Sequence, residues 1–154
     1  MLRAILGVIV GFFVIMGVVD GAIAASWLIF GIDILYNEGV WNVTVVWMIL
    51  SIVIYLAAGL ISGTVCEAIA SKGTRAAIVL AGVVLIAGIL YAKSQKKTSE
   101  AQNQTSRQAG ATRYDAMQYA IIPNLSRFGN PVLAVIGVLV GAEIIRRKGA
   151  APVT

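Results

Sequence analysis

The stretch GVWNVTVVWMILSIVIYLAAGLISGTVC, residues 39–66, contains no aspartate, glutamate, lysine or arginine. A helix that crosses the hydrocarbon of a bilayer needs about 20 predominantly apolar residues, with a range of roughly 17–25. This run exceeds that length and reads as a membrane-spanning helix. Three further runs lie on either side of it. Residues 4–30 form an apolar stretch broken only by Asp20, and residues 76–92 carry no charge. The fourth run, about 128–142, is short and is followed by Arg146, Arg147 and Lys148. The expected fold is therefore all-α. It is an integral membrane bundle of four transmembrane helices, with spans at about 4–30, 41–66, 75–92 and 129–146 in a single domain over 1–154.

Composition agrees. Hydrophobic residues make up 59% and charged residues 12%, with a mean hydropathy of +0.90. Soluble domains carry about 25% charged residues. A net charge of +5 and a pI near 9.7 would also suit nucleic acid. The bases, however, sit at span ends and in one polar segment, where lipid headgroups and membrane orientation account for them. No nucleic-acid partner is expected. Membrane lipids are, with Arg146, Arg147 and Lys148 as candidate headgroup contacts.

The single cysteine, Cys66, excludes an intrachain disulfide, and the chain has no histidine. That removes the commonest metal ligand and proton shuttle and the usual axial ligand of haem. No cofactor or metal is expected. No nucleophile elbow, phosphate loop or metal-ligand cluster occurs, so no enzymatic activity is expected. Three glycosylation triplets, at Asn42, Asn103 and Asn124, carry little weight because the motif is short and frequent.

Arg3, the apolar run 4–19 and Ala22-Ile23-Ala24 before Ala25 have the outline of a secretory signal. The segment is read instead as an uncleaved anchor and first span. Small residues recur at helical spacing along the apolar runs. Gly7 and Gly11, Gly17 and Gly21, Gly59 and Gly63, and Gly137 and Gly141 each form a Gly-x3-Gly pair. Such pairs let helix backbones approach closely in lipid, although glycine is also simply common in membrane helices. Ser62 and Thr64 can bond back to their own helix.

Residues 93–112 form a polar linker. Two readings stay open for it: a disordered link, or a third helix continuing out of the bilayer. In residues 113–122, RYDAMQYAII, Tyr114, Met117 and Ile121 share one side at helical spacing. That predicts a short interfacial helix, an ordinary polar loop being the alternative. Asn130-Pro131 is expected to open the last span, with proline in its first turn.

Four spans place both termini on one side. Arg3, Lys72, Arg75, Arg146, Arg147 and Lys148 then lie together, which favours cytoplasmic termini in a multi-pass protein of the bacterial inner membrane. Six bases in residues 93–127 fall opposite, and a re-entrant third run would move them back.

Asp20 is the candidate intramembrane polar residue. A charge inside a span is costly and points to ion handling. A position near the interface and a polar contact to another chain are the alternatives. Glu67 and Glu143, beside bases at span ends, are expected to snorkel or to pair with Lys72 or Arg146.

The opening MLRAILGVIVG, the segment Ala58-Gly59-Leu60-Ile61-Ser62-Gly63 before a short basic link, and Gly137-x3-Gly141 ahead of Arg146-Arg147-Lys148 together resemble the small uncharacterised four-span membrane proteins of bacteria. That resemblance implies a fold and no activity. The leading functional expectation is a non-enzymatic accessory subunit of a larger membrane complex (respiratory, photosynthetic or transport), docked on other integral subunits through its small-residue faces. The alternative is a small oligomeric ion or solute transporter or channel using Asp20.

Overall fold

The computed structural model describes residues 1–70, 75–102, 112, 115 and 119–150, with side chains of the third and last helices described to residues 94 and 147. The helices are α1 (Leu2–Leu35), α2 (Val45–Ala70), α3 (Ala76–Gln102) and α4 (Asn124–Ala150). Each contains a segment long and apolar enough to cross a membrane. The protein is an all-α, multi-pass membrane bundle.

Neighbouring helices alternate in direction. Gly7 of α1 meets Ala70 of α2, while Gly88 of α3 meets Pro131 of α4. Leu2 and Arg147 consequently lie at one end of the bundle. The α1–α2 loop and the segment entering α4 lie at the other. Central α2 packs most extensively on α4 and next on α1, whereas α1 and α3 share only a thin seam. Large apolar side chains such as Phe13, Ile29, Ile86 and Leu90 point outward, as lipid-facing residues do.

The third apolar run is one uninterrupted helix rather than a re-entrant loop, and it continues past Lys93 to Gln102. This is the second of the two readings for the polar linker as far as residue 102; residues 103–111 lie outside the described set. Helix α4 begins at Asn124, so Pro131 lies inside it rather than in its first turn. The start is set by Arg127 N–H bonding to the Pro123 carbonyl at 2.9 Å. The helix continues through the proline, whose ring packs directly on Gly88 of α3.

Helix α1 is broken near its end. Gly31 has φ 73° and ψ 171°, a combination essentially confined to glycine. Thr44 ties the helix ends together. Its hydroxyl donates to the Ile34 carbonyl at 2.8 Å and accepts from Trp47 N–H at 3.4 Å, capping α1 and α2 at once. Between them, Tyr36 bridges to Val43.

The expected interfacial helix over 113–122 falls largely outside the described residues. Thr112 and Asp115 make the reciprocal bonds of a capping box, at 2.7 and 3.3 Å. The Thr112 hydroxyl also donates to Asp115 Oδ2 at 2.7 Å, and this bond with that from the Thr112 N–H holds the Asp115 carboxyl below its usual range. Residues 120–122 are not helical. They lie along the α1–α2 loop, where Ile121 N–H bonds to the Trp41 carbonyl at 2.9 Å. Pairing with a loop that already offers free carbonyls wins over another helical turn. The result is an aromatic cap over one end of the bundle, built on Trp27, Leu35, Tyr36, Trp41 and Trp47. Burial pushes the Tyr36 hydroxyl up to about 12, Trp27 pulling weakly the other way.

Candidate functional site: a polar-bordered cavity within the bundle

The Gly-x3-Gly pairs sort into two groups. Those of α2 and α4 face each other. A Cβ built on Gly137 would stand 2.5 Å from the Leu56 carbonyl oxygen, and Gly141 presses on Leu60. Gly59 presses in turn on Ala134, and Gly63 on Val138. The backbones touch, leaving no room for side chains. On α1, a Cβ at Gly7 would stand 2.7 Å from the Cys66 carbonyl, and one at Gly11 2.7 Å from Leu80. Ser62 adds a bond across the same interface, its hydroxyl donating to the Gly11 carbonyl at 2.7 Å. Thr64 does bond back, to Ile61, but Ser62 does not.

Gly17 and Gly21 are placed otherwise. A Cβ on either meets nothing within 4 Å among the described residues, and both are exposed. Helix α1 turns the face of Gly7, Gly11, Ile15, Val19 and Ser26 inward, so these two glycines point away from the bundle.

The basic C-terminal cluster also divides. Arg146 turns onto Glu67, its Nε at 2.9 Å and a terminal nitrogen at 3.4 Å from the two carboxylate oxygens. Glu67 is fully buried. Burying a carboxylate requires a paired, hydrogen-bonded partner, and Arg146 is that partner while staying partly exposed. Arg147 pairs with Glu143 at 2.9 Å and stays exposed. The Lys148 side chain lies outside the described set.

The opposite half of the bundle holds a cavity of about 400 Å³, within the range of about 300–1,000 Å³ usual for ligand pockets. Most of its wall is apolar. All four helices nevertheless bring a polar side chain to it: Asp20 from α1, Tyr55 from α2, Tyr91 from α3, and Arg127 and Asn130 from α4. Asp20 lies about 10 Å along α1 from Trp27 of the aromatic cap, at 1.5 Å per residue. It makes no hydrogen bond or ion pair among the described residues. Asn130 is 5% exposed, and its Oδ1 finds no partner there. Arg127 is held by a bond from a terminal nitrogen to the Ile122 carbonyl at 3.0 Å. Trp47 and Ile122 close the cavity toward the cap, and the thin α1–α3 seam flanks it.

Asp20 was legible as a candidate from its place in an apolar run. Its four companions were not singled out. The available signal was that Tyr55 sits within a span rather than at its end; Asn130 stood at the expected start of the last span and is inside it only because α4 begins at Asn124. Among the described residues no group of three or more histidine, cysteine, aspartate or glutamate side chains converges as a metal site would. Comparison with protein families, curated proteins and solved structures finds no match to the chain.

Proposed function

We propose that this is a small, non-enzymatic membrane transporter that takes a solute into the intramembrane cavity, with Asp20 as its charged binding group. The observation that carries the reading is the convergence of Asp20, Tyr55, Tyr91, Arg127 and Asn130, from all four helices, on one apolar-walled cavity. A carboxylate at membrane depth costs free energy unless it serves a partner or a ligand. The glycine contacts of α1 and α2 seal the far end, while α1 meets α3 only thinly. Movement of α1 against α3 is the low-cost way to open a path.

Reconstitution into vesicles tests this. Ion, proton or solute flux above that of protein-free vesicles, lowered at least tenfold by Asp20→Asn and unaltered by Glu143→Gln, is the expected result. Flux equal to that of empty vesicles, or unchanged by Asp20→Asn, overturns it.

The accessory-subunit reading has its own support. Gly17, Gly21, Ala24 and Ala25 leave an exposed small-residue face on α1 suited to another helix. A larger complex travelling with the chain through mild detergent is its expected result; a lone monomer refutes it. For either role we place the termini in the cytoplasm of a bacterial cell. A cysteine introduced at Gln102 should then be labelled from outside intact cells, buried Cys66 staying silent.

A further inference from the structure

We infer that the cavity takes a lipophilic primary amine as its cation, the ammonium against Asp20 and the hydrocarbon body against the apolar wall. The inference rests on the cavity being a binding site, as proposed above. Asp20 sets the sign of the ligand, since Arg127, the other charged group at the cavity, is engaged by the Ile122 carbonyl. Asp20 offers a carboxylate with no hydrogen bond or ion pair among the described residues. Asn130 offers a buried amide oxygen, Oδ1, without a partner in the same cavity. A buried acceptor left unpaired is costly, and a ligand N–H removes that cost. Two acceptors call for a ligand with more than one N–H, which a primary ammonium supplies.

The aromatic wall points the same way. Phe12, Trp47, Tyr55 and Tyr91 border the cavity, and ring faces attract cations, more strongly where water is excluded. An inorganic ion fits poorly. It would need several charged or strongly donating ligands, whereas Asp20 is the one carboxylate bordering the cavity among the described residues, and the space of about 400 Å³ is mostly apolar-walled. An organic body fills such a wall, and burial of its hydrocarbon supplies affinity.

Arg127 bears the like charge and borders the same cavity. It lies one turn nearer the aromatic cap than Asn130 and donates to the Ile122 carbonyl. Its repulsion orients the ammonium toward the α1 wall, where Asp20 stands. The amine can be a free lipophilic molecule or the ammonium headgroup of an aminophospholipid entering between α1 and α3, since both present the same group.

The test uses the full chain in phosphatidylcholine nanodiscs, with radiolabelled 2-naphthylethylamine as probe and its N-acetyl derivative as uncharged counterpart. Empty nanodiscs set the background. Saturable binding is expected, with the amine at least tenfold tighter than its acetyl derivative. Asp20→Asn should erase that preference. Its side chain is exposed, so the variant keeps the fold, and an unchanged melting temperature verifies this. Asn130→Ala should weaken the amine at least threefold and leave the acetyl derivative unaffected. Displacement by phosphatidylethanolamine added to the nanodisc assigns the ammonium to a lipid; lack of displacement assigns it to a free amine. Equal binding of amine and acetyl derivative, retention of the preference in Asp20→Asn, or no saturable binding overturns the inference. Amine binding without any flux refutes transport and leaves this assignment standing. Flux of a small ion without amine binding does the reverse.

Discussion

Replacing Gly137 by alanine puts a methyl group where α2 leaves no space for it. The new Cβ would stand 2.5 Å from the Leu56 carbonyl oxygen, 2.9 Å from Leu60 N and 3.0 Å from Gly59 C. All three are backbone atoms of a packed helix, so none can swing aside. Ordinary contact begins near 3.4 Å, and α4 must back away from α2 by about 1 Å. A gap of that size forfeits roughly a quarter to a half of each contact's dispersion energy, along the most extensive interface in the bundle. Overpacking of this kind costs about 1–3 kcal/mol, and alanine's better helix propensity returns less than about 1 kcal/mol. The expected net loss is about 1 kcal/mol, or roughly fivefold in the folding equilibrium at 1.4 kcal/mol per decade. Gly17→Ala is the matched control, because its Cβ meets nothing within 4 Å. It should be neutral or stabilise by a few tenths of a kcal/mol. Both variants are read by dodecyl sulfate titration of the protein in mixed micelles. If Gly137→Ala loses no more stability than Gly17→Ala, the close α2–α4 crossing is not what holds this bundle together.

Three further outcomes follow from other parts of the fold. Arg146→Met strands the buried Glu67 and should cost about 3 kcal/mol, near the low end for a broken buried pair because Arg146 is 36% exposed. The same titration should show Arg146→Met with Glu67→Gln recovering more than half of that loss. Gly31→Ala forces a non-glycine residue into φ 73°, ψ 171° and should cost about 1–3 kcal/mol, whereas Gly82→Ala, with open space and ordinary helical backbone, should not. Tyr36 has its pKa raised from 10.0 to about 12 in the folded state, so the folded protein holds that proton more tightly. The stability it lends is complete below pH 10 and is lost as pH rises toward 12, about 2–3 kcal/mol in all. Tyr36→Phe should remove this part of the alkaline decline in thermal unfolding curves, and an identical decline in both proteins would contradict the burial of its hydroxyl.

The aromatic cap marks where sequence reading ran short. Tyr36, Trp41 and Trp47 stand at or near span ends in the sequence, where interfacial aromatic residues belong. Their burial against Ile121 and Ile122 was not legible there, because it depends on a loop pairing with a segment some 80 residues away. The same limit applied to the glycines. All four pairs look alike in the sequence, and only the choice of inward face separates Gly7 and Gly11 from Gly17 and Gly21.

The number and position of the spans, the all-helical class and the oddity of Asp20 follow from composition and run length alone. Hydrocarbon admits only backbones that satisfy themselves locally, and apolar length is a local property. Which helices touch, that Arg146 serves Glu67, and that Asp20 shares a cavity with Tyr55, Tyr91, Arg127 and Asn130 were decided by the tertiary structure. Those relations depend on the rotation and register of one helix against another. Side-chain packing between distant segments sets both, and no short window of sequence contains it.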